Sequence, residues 1–422
     1  MEKFLEKFVI HGGKELSGKV SISGAKNSAL ALMPATLLNS ASNQIFNVPE
    51  VNDIFTMKKL LEQLGVVSDF KENKILLDTS NVSSQVAPYE LVKKMRASIY
   101  VLGPLLAKYG YAKVSMPGGC AWGPRPINLH LEAMKKLGAE IELEEGYIIA
   151  RSKKLIGTKI HFDIPSVGAT GNTLMAATLA KGITLITNAA IEPEITQLSE
   201  FLVSMGAKIN GIGTNILEIE GVDTLNGATI TNISDRIEAG TILCAAAITK
   251  SNIKIEYPFF EHIEAIITKL EDAGCKILID NDLIDINAKN ISLKSIDVTT
   301  AVYPGFPTDM QAQWIALMSL AEGSCTVTDT IYLDRFAHVP ELIRLGADIE
   351  IKNNSAVVRG KNQLKGAKVM STDLRASASL VLAGLAAQGT TEVLRIYHLD
   401  RGYQKIENKL RSLGADIERV KT

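Results

Sequence analysis

Six short polar segments of this sequence stand directly in front of apolar runs: SGAKNSA, KKMRASI, PSVGATGNT, SDRIEAGT, FPTDMQAQ and STDLRASA. Serine, threonine and aspartate at such places are ordinary helix N-caps, and capping alone accounts for much of the pattern. It does not account for Lys26, Arg96, Arg236 and Arg375, which lie in or beside these segments. A cation at a helix N-terminus opposes the helix dipole unless an anion is close by. Free N–H groups at helix starts bind phosphates and carboxylates, so the segments are expected to gather anionic ligands. Within AVYPGFPTDMQAQ, residues 301–313, Asp309 is either one more cap or a carboxylate placed to act as general base, and spacing does not choose between them.

The segment MPGGCAWGPRPINLH, residues 116–130, holds three glycines and three prolines around Cys120, a composition for a specially shaped loop. A cysteine five residues from Arg125 in such a loop has grounds for a lowered pKa and reactivity, although a lone cysteine is also a common small core residue. Cys244, Cys275 and Cys325 fall in core-helix, turn and strand patterns and read as buried. Arg401 in YHLDRGYQKIE precedes an amphipathic stretch, where a solvated arginine is the plain reading. The six histidines have no metal-ligand spacing, so no metal site is expected, and no cofactor is called for.

The elements that must position these residues repeat along the chain. LGV, LGA, MGA, AGC, LGA and LGA place glycines at 65, 138, 206, 274, 346 and 414, spaced 68 to 73 residues apart, the period of one supersecondary unit. Amphipathic stretches such as DIFTMKKLLEQLG and QKIENKLRSLG lead into these turns and read as helices ending at a Gly C-cap. After them come hairpin patterns such as ADIEIKNNSAVVRG. A second set, including NTLMAATLAKG, GTILCAAAITK and SASLVLAGLAAQG, is apolar on nearly every side and rich in small residues, so these helices must be buried and closely packed. The expected fold is α/β, with six units forming two domains of three, each with buried core helices inside and sheets and amphipathic helices outside. The expected boundaries are 22–233, carrying the Cys120 loop, and a discontinuous domain of 1–21 with 234–422 closed by the N-terminal strand in FVIHGGKELSGKVSIS.

Bulk properties restrict the function. Lys and Arg number 45 against 46 Asp and Glu, a net charge of −1, so no general basic field is present to hold nucleic acid. Apolar runs such as LVLAGLAAQ are about half the roughly 20 residues of a membrane span, and no membrane insertion is expected. MEKFLEKFVIHGG lacks the apolar core of a secretory signal, and the cysteines form no disulfide framework, so a cytoplasmic, reducing location is expected.

SGAKNSAL, MRASIYVLGPL, MPGGCAWGPRPINLH, SVGAT, FPTDMQAQ, TDLRASASLVLAG and IYHLDRGY together resemble the UDP-N-acetylglucosamine 1-carboxyvinyltransferases of the enolpyruvyl transferase family, over about Phe8 to Val420. The resemblance implies two inside-out α/β domains that close around phosphoenolpyruvate and UDP-N-acetylglucosamine in the first committed step of peptidoglycan synthesis. It further implies that Lys26 and Asn27 contact phosphoenolpyruvate, with Arg125 and Arg401 neutralising its phosphate and carboxylate. Arg96, the run Arg125, Pro126, Ile127, Asn128 and Leu129, the turn Ser166, Val167 and Gly168, and Asp309 and Ile331 would line the sugar-nucleotide site. Asp373 and Arg375 are secondary members. Cys120 would protonate or add to phosphoenolpyruvate and be the target of the epoxide antibiotic fosfomycin, and Asp309 would be the base for the sugar 3-hydroxyl. Trp122, Asn128 and Ile164 depart from the family pattern, where a small aliphatic residue, an Asp and, in some members, a Lys stand.

The rivals are the sister activity on shikimate 3-phosphate, which does not call for the GGC loop, and a repeat protein that only binds. Cys120 is expected to be alkylated by a thiol-directed epoxide ahead of Cys244, Cys275 and Cys325, and faster with the UDP-sugar present. Peptide mass spectrometry reads the order, and equal labelling of all four would remove the special thiol.

Overall fold

In the computed structural model the described residues are 6–116 and 127–421. The chain forms two compact units, Gly24–Ile233 and Met1–Ser23 with Ser234–Thr422. The helices of the first are α1 (Lys26–Ala35), α2 (Asn52–Gln63), α3 (Tyr89–Val92), α4 (Leu102–Tyr109), α5 (Asn128–Lys136), α6 (Val167–Ala177) and α7 (Pro193–Ser204). Those of the second are α8 (Arg236–Ile248), α9 (Glu264–Asp272), α10 (Gln311–Met318), α11 (Val339–Arg344), α12 (Leu374–Ala386) and α13 (Ile406–Ser412).

Two kinds of helix recur, as the side-chain pattern requires. α6, α8, α10 and α12 are buried along almost their whole length, and α1 exposes part of only Asn27. Their Ala, Gly, Ser and Thr residues let the helices approach closely. A methyl group at Gly103 of α4 would lie 2.4 Å from the backbone oxygen of Asn172 in α6, so only glycine fits there. Asn172 also accepts from the Gly103 N–H at 2.7 Å, satisfying one of the free donors at the start of α4. By contrast α2, α5, α7, α9, α11 and α13 bury one face, and each runs into one of the six repeated glycines, all with positive φ between 94° and 106°. That backbone conformation ends the helix and turns the chain into its hairpin.

Among the described residues, six four-stranded sheets share one plan, three in each unit. Thr229–Thr231 runs parallel to Ser42–Phe46, which pairs antiparallel with Lys74–Asp78, itself antiparallel to Val67–Lys71. The hairpins match the sequence reading. The parallel edge strand does not appear in it, because strands as short as Val86–Ala87 or Val298–Thr299 carry no readable alternation. The first and last segments of each unit pair with one another. In the unit that includes both ends of the sequence, Glu6–His11 lies between Thr390–Leu394 and Asp416–Lys421, with Phe8 opposite Val393 and Ile10 opposite Ile417. Ser17–Ser21 runs parallel to Asn252–Glu256 in a second sheet of that unit. Each unit has its own apolar core. No helix among the described residues is long and apolar enough to cross a membrane.

Candidate active site

The capping interpretation holds for three of the six polar segments. Asp235 caps α8, Ser166 caps α6 and Asp373 caps α12, each side chain accepting from backbone N–H groups of the first turn. Asp373 Oδ1 takes N–H bonds from Arg375 at 2.8 Å and Ala376 at 3.2 Å, so one of its oxygens is committed to the helix.

Asp309 is not a cap of this kind. It lies in a 3-10 turn, Thr308–Met310, ahead of α10, and its carboxylate is gripped from two sides. Arg375 donates from Nε at 3.1 Å and Nη2 at 2.8 Å to Oδ2, and Arg335 donates from Nη1 at 2.9 Å to Oδ1. Both arginines are buried, Arg375 being only 3% exposed, whereas the Asp309 side chain is 27% exposed. The pair therefore presents a charged carboxylate at its accessible end. Burial works against the Arg375 charge, but Asp309, Tyr403 and Asp235 together more than offset it and hold the guanidinium above its ordinary pKa. The Arg375 guanidinium lies over the Tyr403 ring, 5.3 Å from its centroid. The Tyr403 hydroxyl meets Thr241 Oγ1 at 2.9 Å, and Gln313 Nε2 donates to both.

Behind Asp309 is a second carboxylate. Asp329 is fully buried and accepts four hydrogen bonds, one of them from the Thr308 hydroxyl at 2.7 Å. Burial raises its pKa, and hydrogen bonds from Thr308 and Thr300 pull the other way. Arg335 Nη1 also donates to Thr308 Oγ1 at 3.0 Å. The exposed Ile331 follows directly on this turn, and Arg401, partly exposed, ends the 3-10 turn Ile396–Arg401.

In the other unit, Lys26 is the first residue of α1 and is 8% exposed. Its ammonium pairs at 3.3 Å with Asp53, a buried carboxylate in the first turn of α2. Asn27 is half-buried beside it, and Arg96 opens the 3-10 turn Arg96–Val101 that leads into α4. Ile127, Asn128 and Leu129 form the start of α5, with Asn128 exposed and Leu129 buried. His130 follows. Its Nδ1 meets the Asn172 amide nitrogen at 3.1 Å, which makes Nδ1 an acceptor and leaves the proton on Nε2. Nε2 faces Gly168, where an added Cβ would stand 3.0 Å away. His130 thus joins the Asn128 stretch to the Ser166–Val167–Gly168 turn, where all three residues are partly exposed.

Cys120, Trp122, Arg125 and Pro126 lie outside the described residues. The other three cysteines are buried, and burial pushes the thiols of Cys275 and Cys325 up to about 12 and that of Cys244 higher still. Ile164 is 59% exposed.

The anion demanded by a cation at a helix start is supplied from within the protein, by Asp53 for Lys26 and by Asp309 for Arg375, so those cations do not by themselves require a ligand. Arg335, Asp329, Asp53 and His130 are absent from the candidates read in the sequence. Arg335 had a signal: IYLDRFAH, residues 331–338, echoes IYHLDRGY, residues 396–403, one repeat later. Asp53 had none, since an acidic residue in the first turn of an amphipathic helix is what the dipole favours anyway.

This architecture is that of solved enolpyruvyl transferases. The enolpyruvyl transferase NikO from Streptomyces tendae superposes with a TM-score of 0.89 at 25% identity, covering 100% of both chains. An EPSP synthase from Acinetobacter baumannii shares the fold, with a TM-score of 0.76 at 18% identity over 99% of this chain and 100% of that one. The family model of EPSP synthase (3-phosphoshikimate 1-carboxyvinyltransferase) matches residues 10–410. A UDP-N-acetylglucosamine 1-carboxyvinyltransferase of Chloroherpeton thalassium is 59% identical over 98% of this chain and 97% of its own. Another, of Chlorobium chlorochromatii, is 56% identical over 99% of both. The chain belongs to the EPSP synthase family of transferases, within its UDP-N-acetylglucosamine 1-carboxyvinyltransferase branch.

Burial holds His130 down to about 4, with Arg96 acting in the same direction, against 6.5 for a free imidazole. The folded state keeps this ring neutral, so its contribution to stability is complete above pH 6.5 and is lost as pH falls from there toward 4. Denaturant melts at pH 7 and pH 5 are expected to show a His130→Gln variant losing less stability on acidification than the unsubstituted chain, by on the order of 1–2 kcal/mol. Equal losses would mean that His130 is not held neutral.

Proposed function

We propose that the chain transfers the enolpyruvyl group of phosphoenolpyruvate to the 3-hydroxyl of UDP-N-acetylglucosamine by addition and elimination, releasing phosphate, as a cytoplasmic enzyme of peptidoglycan synthesis. The observation that carries this reading is the accessible Asp309 carboxylate held between two buried arginines, in a chain closely related to enzymes named for that reaction.

In the first half of the reaction a proton adds to the methylene carbon of phosphoenolpyruvate, and C2 becomes an oxocarbenium-like centre. The sugar 3-hydroxyl oxygen attacks C2, and its proton passes to Asp309. Proton transfer accompanies C–O bond formation, when the hydroxyl has become acidic, rather than preceding it. In the second half the bond from C2 to the phosphate oxygen breaks, a methyl proton leaves, and the double bond returns. Lys26, Asn27, Arg125 and Arg401 hold the phosphate and carboxylate of the donor, a task for fixed cations in a preorganised site. Cys120 supplies or assists the first proton, or adds to the donor.

On the sugar-nucleotide side, Arg96, Pro126, Ile127, Asn128, Leu129, Ser166, Val167, Gly168 and Ile331 serve as contacts, and Asp373 and Arg375 shape the surroundings of Asp309. The bridge that His130 makes between the Asn128 stretch and the Ser166 turn supports treating those two stretches as one surface. Arg335 joins the set through its bond to Asp309.

Phosphate release from phosphoenolpyruvate tests the reading. Release is expected with UDP-N-acetylglucosamine and not with shikimate 3-phosphate; the reverse would assign the sister activity, and release with neither would leave a binding protein. Asp309→Asn is expected to lower kcat by about 10²-fold or more, the ordinary scale for a lost general base, with a much smaller change in UDP-sugar Kd. A collapse of binding with kcat preserved would make Asp309 a ligand contact only.

A further inference from the structure

The hydrogen bonds around Asp329 are asymmetric. Oδ1 accepts from the backbone N–H groups of Ile331 at 3.0 Å and Tyr332 at 2.8 Å, and from the Thr300 hydroxyl at 2.8 Å. Oδ2 takes the Thr308 hydroxyl at 2.7 Å. An ionised carboxylate only accepts, so the Thr308 proton must point at Asp329. The lone pairs of Thr308 Oγ1 are then left for Arg335 Nη1, which donates to it at 3.0 Å and to Asp309 Oδ1 at 2.9 Å. A fully buried charge is thereby linked, through one hydroxyl and one guanidinium, to the accessible carboxylate.

We propose that Asp329 is a positioning residue for Asp309, acting through Thr308: its negative charge fixes and polarises the Thr308 hydroxyl as an acceptor for Arg335, and Arg335 in turn holds Asp309. The proposal rests on the reading of Asp309 as the base, and it adds a residue that touches neither substrate nor Asp309.

The arrangement permits a clean substitution. In Asp329→Asn the two backbone N–H donors force the amide oxygen into the Oδ1 place, so the turn that carries Ile331 keeps its anchor. The NH2 group falls on Thr308, whose hydroxyl proton loses its acceptor and whose oxygen loses the polarising charge. Thr308→Val removes the intermediary, and Thr308→Ser retains the hydroxyl.

The test is a double-mutant cycle on phosphate release with phosphoenolpyruvate and UDP-N-acetylglucosamine, each variant first shown by circular dichroism to be folded. Asp329→Asn and Thr308→Val are each expected to lower kcat about tenfold with less than threefold change in UDP-sugar Kd, and Thr308→Ser to stay within about threefold of the unsubstituted enzyme. Adding Asp329→Asn to Thr308→Val is expected to cost less than about twofold more, because the route is already cut. Losses that multiply, an Asp329→Asn enzyme of full activity, or a Thr308→Ser enzyme as poor as Thr308→Val would overturn the proposal. If Asp329→Asn does not fold, the contrast of Thr308→Val with Thr308→Ser decides alone. An unsubstituted chain that releases no phosphate refutes the assigned reaction instead. The relay is then judged by the same cycle in Tm, where additive shifts would overturn it.

Discussion

A carboxylate shared by two buried guanidiniums is the interaction on which the proposed site depends. Arg375 sits in the first turn of α12, almost wholly out of solvent and against the dipole of its own helix. Without Asp309 it would be an uncompensated buried charge, which costs several kcal/mol in ordinary proteins. Asp309 in turn is held open to solvent at one end while its oxygens are fixed from behind. Each member is tolerable only because the others are in place, which is why the Tyr403, Thr241 and Gln313 contacts below Arg375 and the Thr308 and Asp329 contacts beside Arg335 belong to the same construction.

The fold supplies the means. Core helices built of small residues pack closely enough that their first turns can be reached by side chains from neighbouring segments, and the same arrangement occurs in the other unit, where Lys26 on α1 meets Asp53 on α2. A repeated architecture has thus placed a cation at a buried helix start and a carboxylate from another segment against it in both units. The carboxylate relieves the conflict between cation and dipole; the Lys26–Asp53 pair is buried, whereas Asp309 keeps one end of its carboxylate accessible.

How much of this could be read in the sequence follows from what each feature depends on. The α/β class, the buried helices and the six glycine turns were legible because local patterns determine them: no polar face means burial, and a left-handed residue after an amphipathic helix means glycine. The parallel edge strands were not, since two or three residues show no period. Among the candidate residues, Asp309, Arg375 and Lys26 stood out at helix starts, and most specific roles came from the resemblance rather than from spacing. Asp329 and Asp53 were invisible because each looks like a turn or cap residue until the fold brings a distant Thr308 or Lys26 to it. Arg335 was recoverable from the repeat of IYLDR in IYHLDR, a likeness between units that the glycine spacing makes easy to align.

On the proposed reading Asp309 receives the proton of the sugar 3-hydroxyl while both arginines keep hold of it. A crystal structure with UDP-N-acetylglucosamine bound tests this most directly. The 3-hydroxyl oxygen is expected within about 2.6–3.2 Å of an Asp309 carboxylate oxygen, with Arg335 and Arg375 still donating to that carboxylate. A sugar whose 3-hydroxyl lies out of reach of Asp309, or an Asp309 released by both arginines, would contradict it.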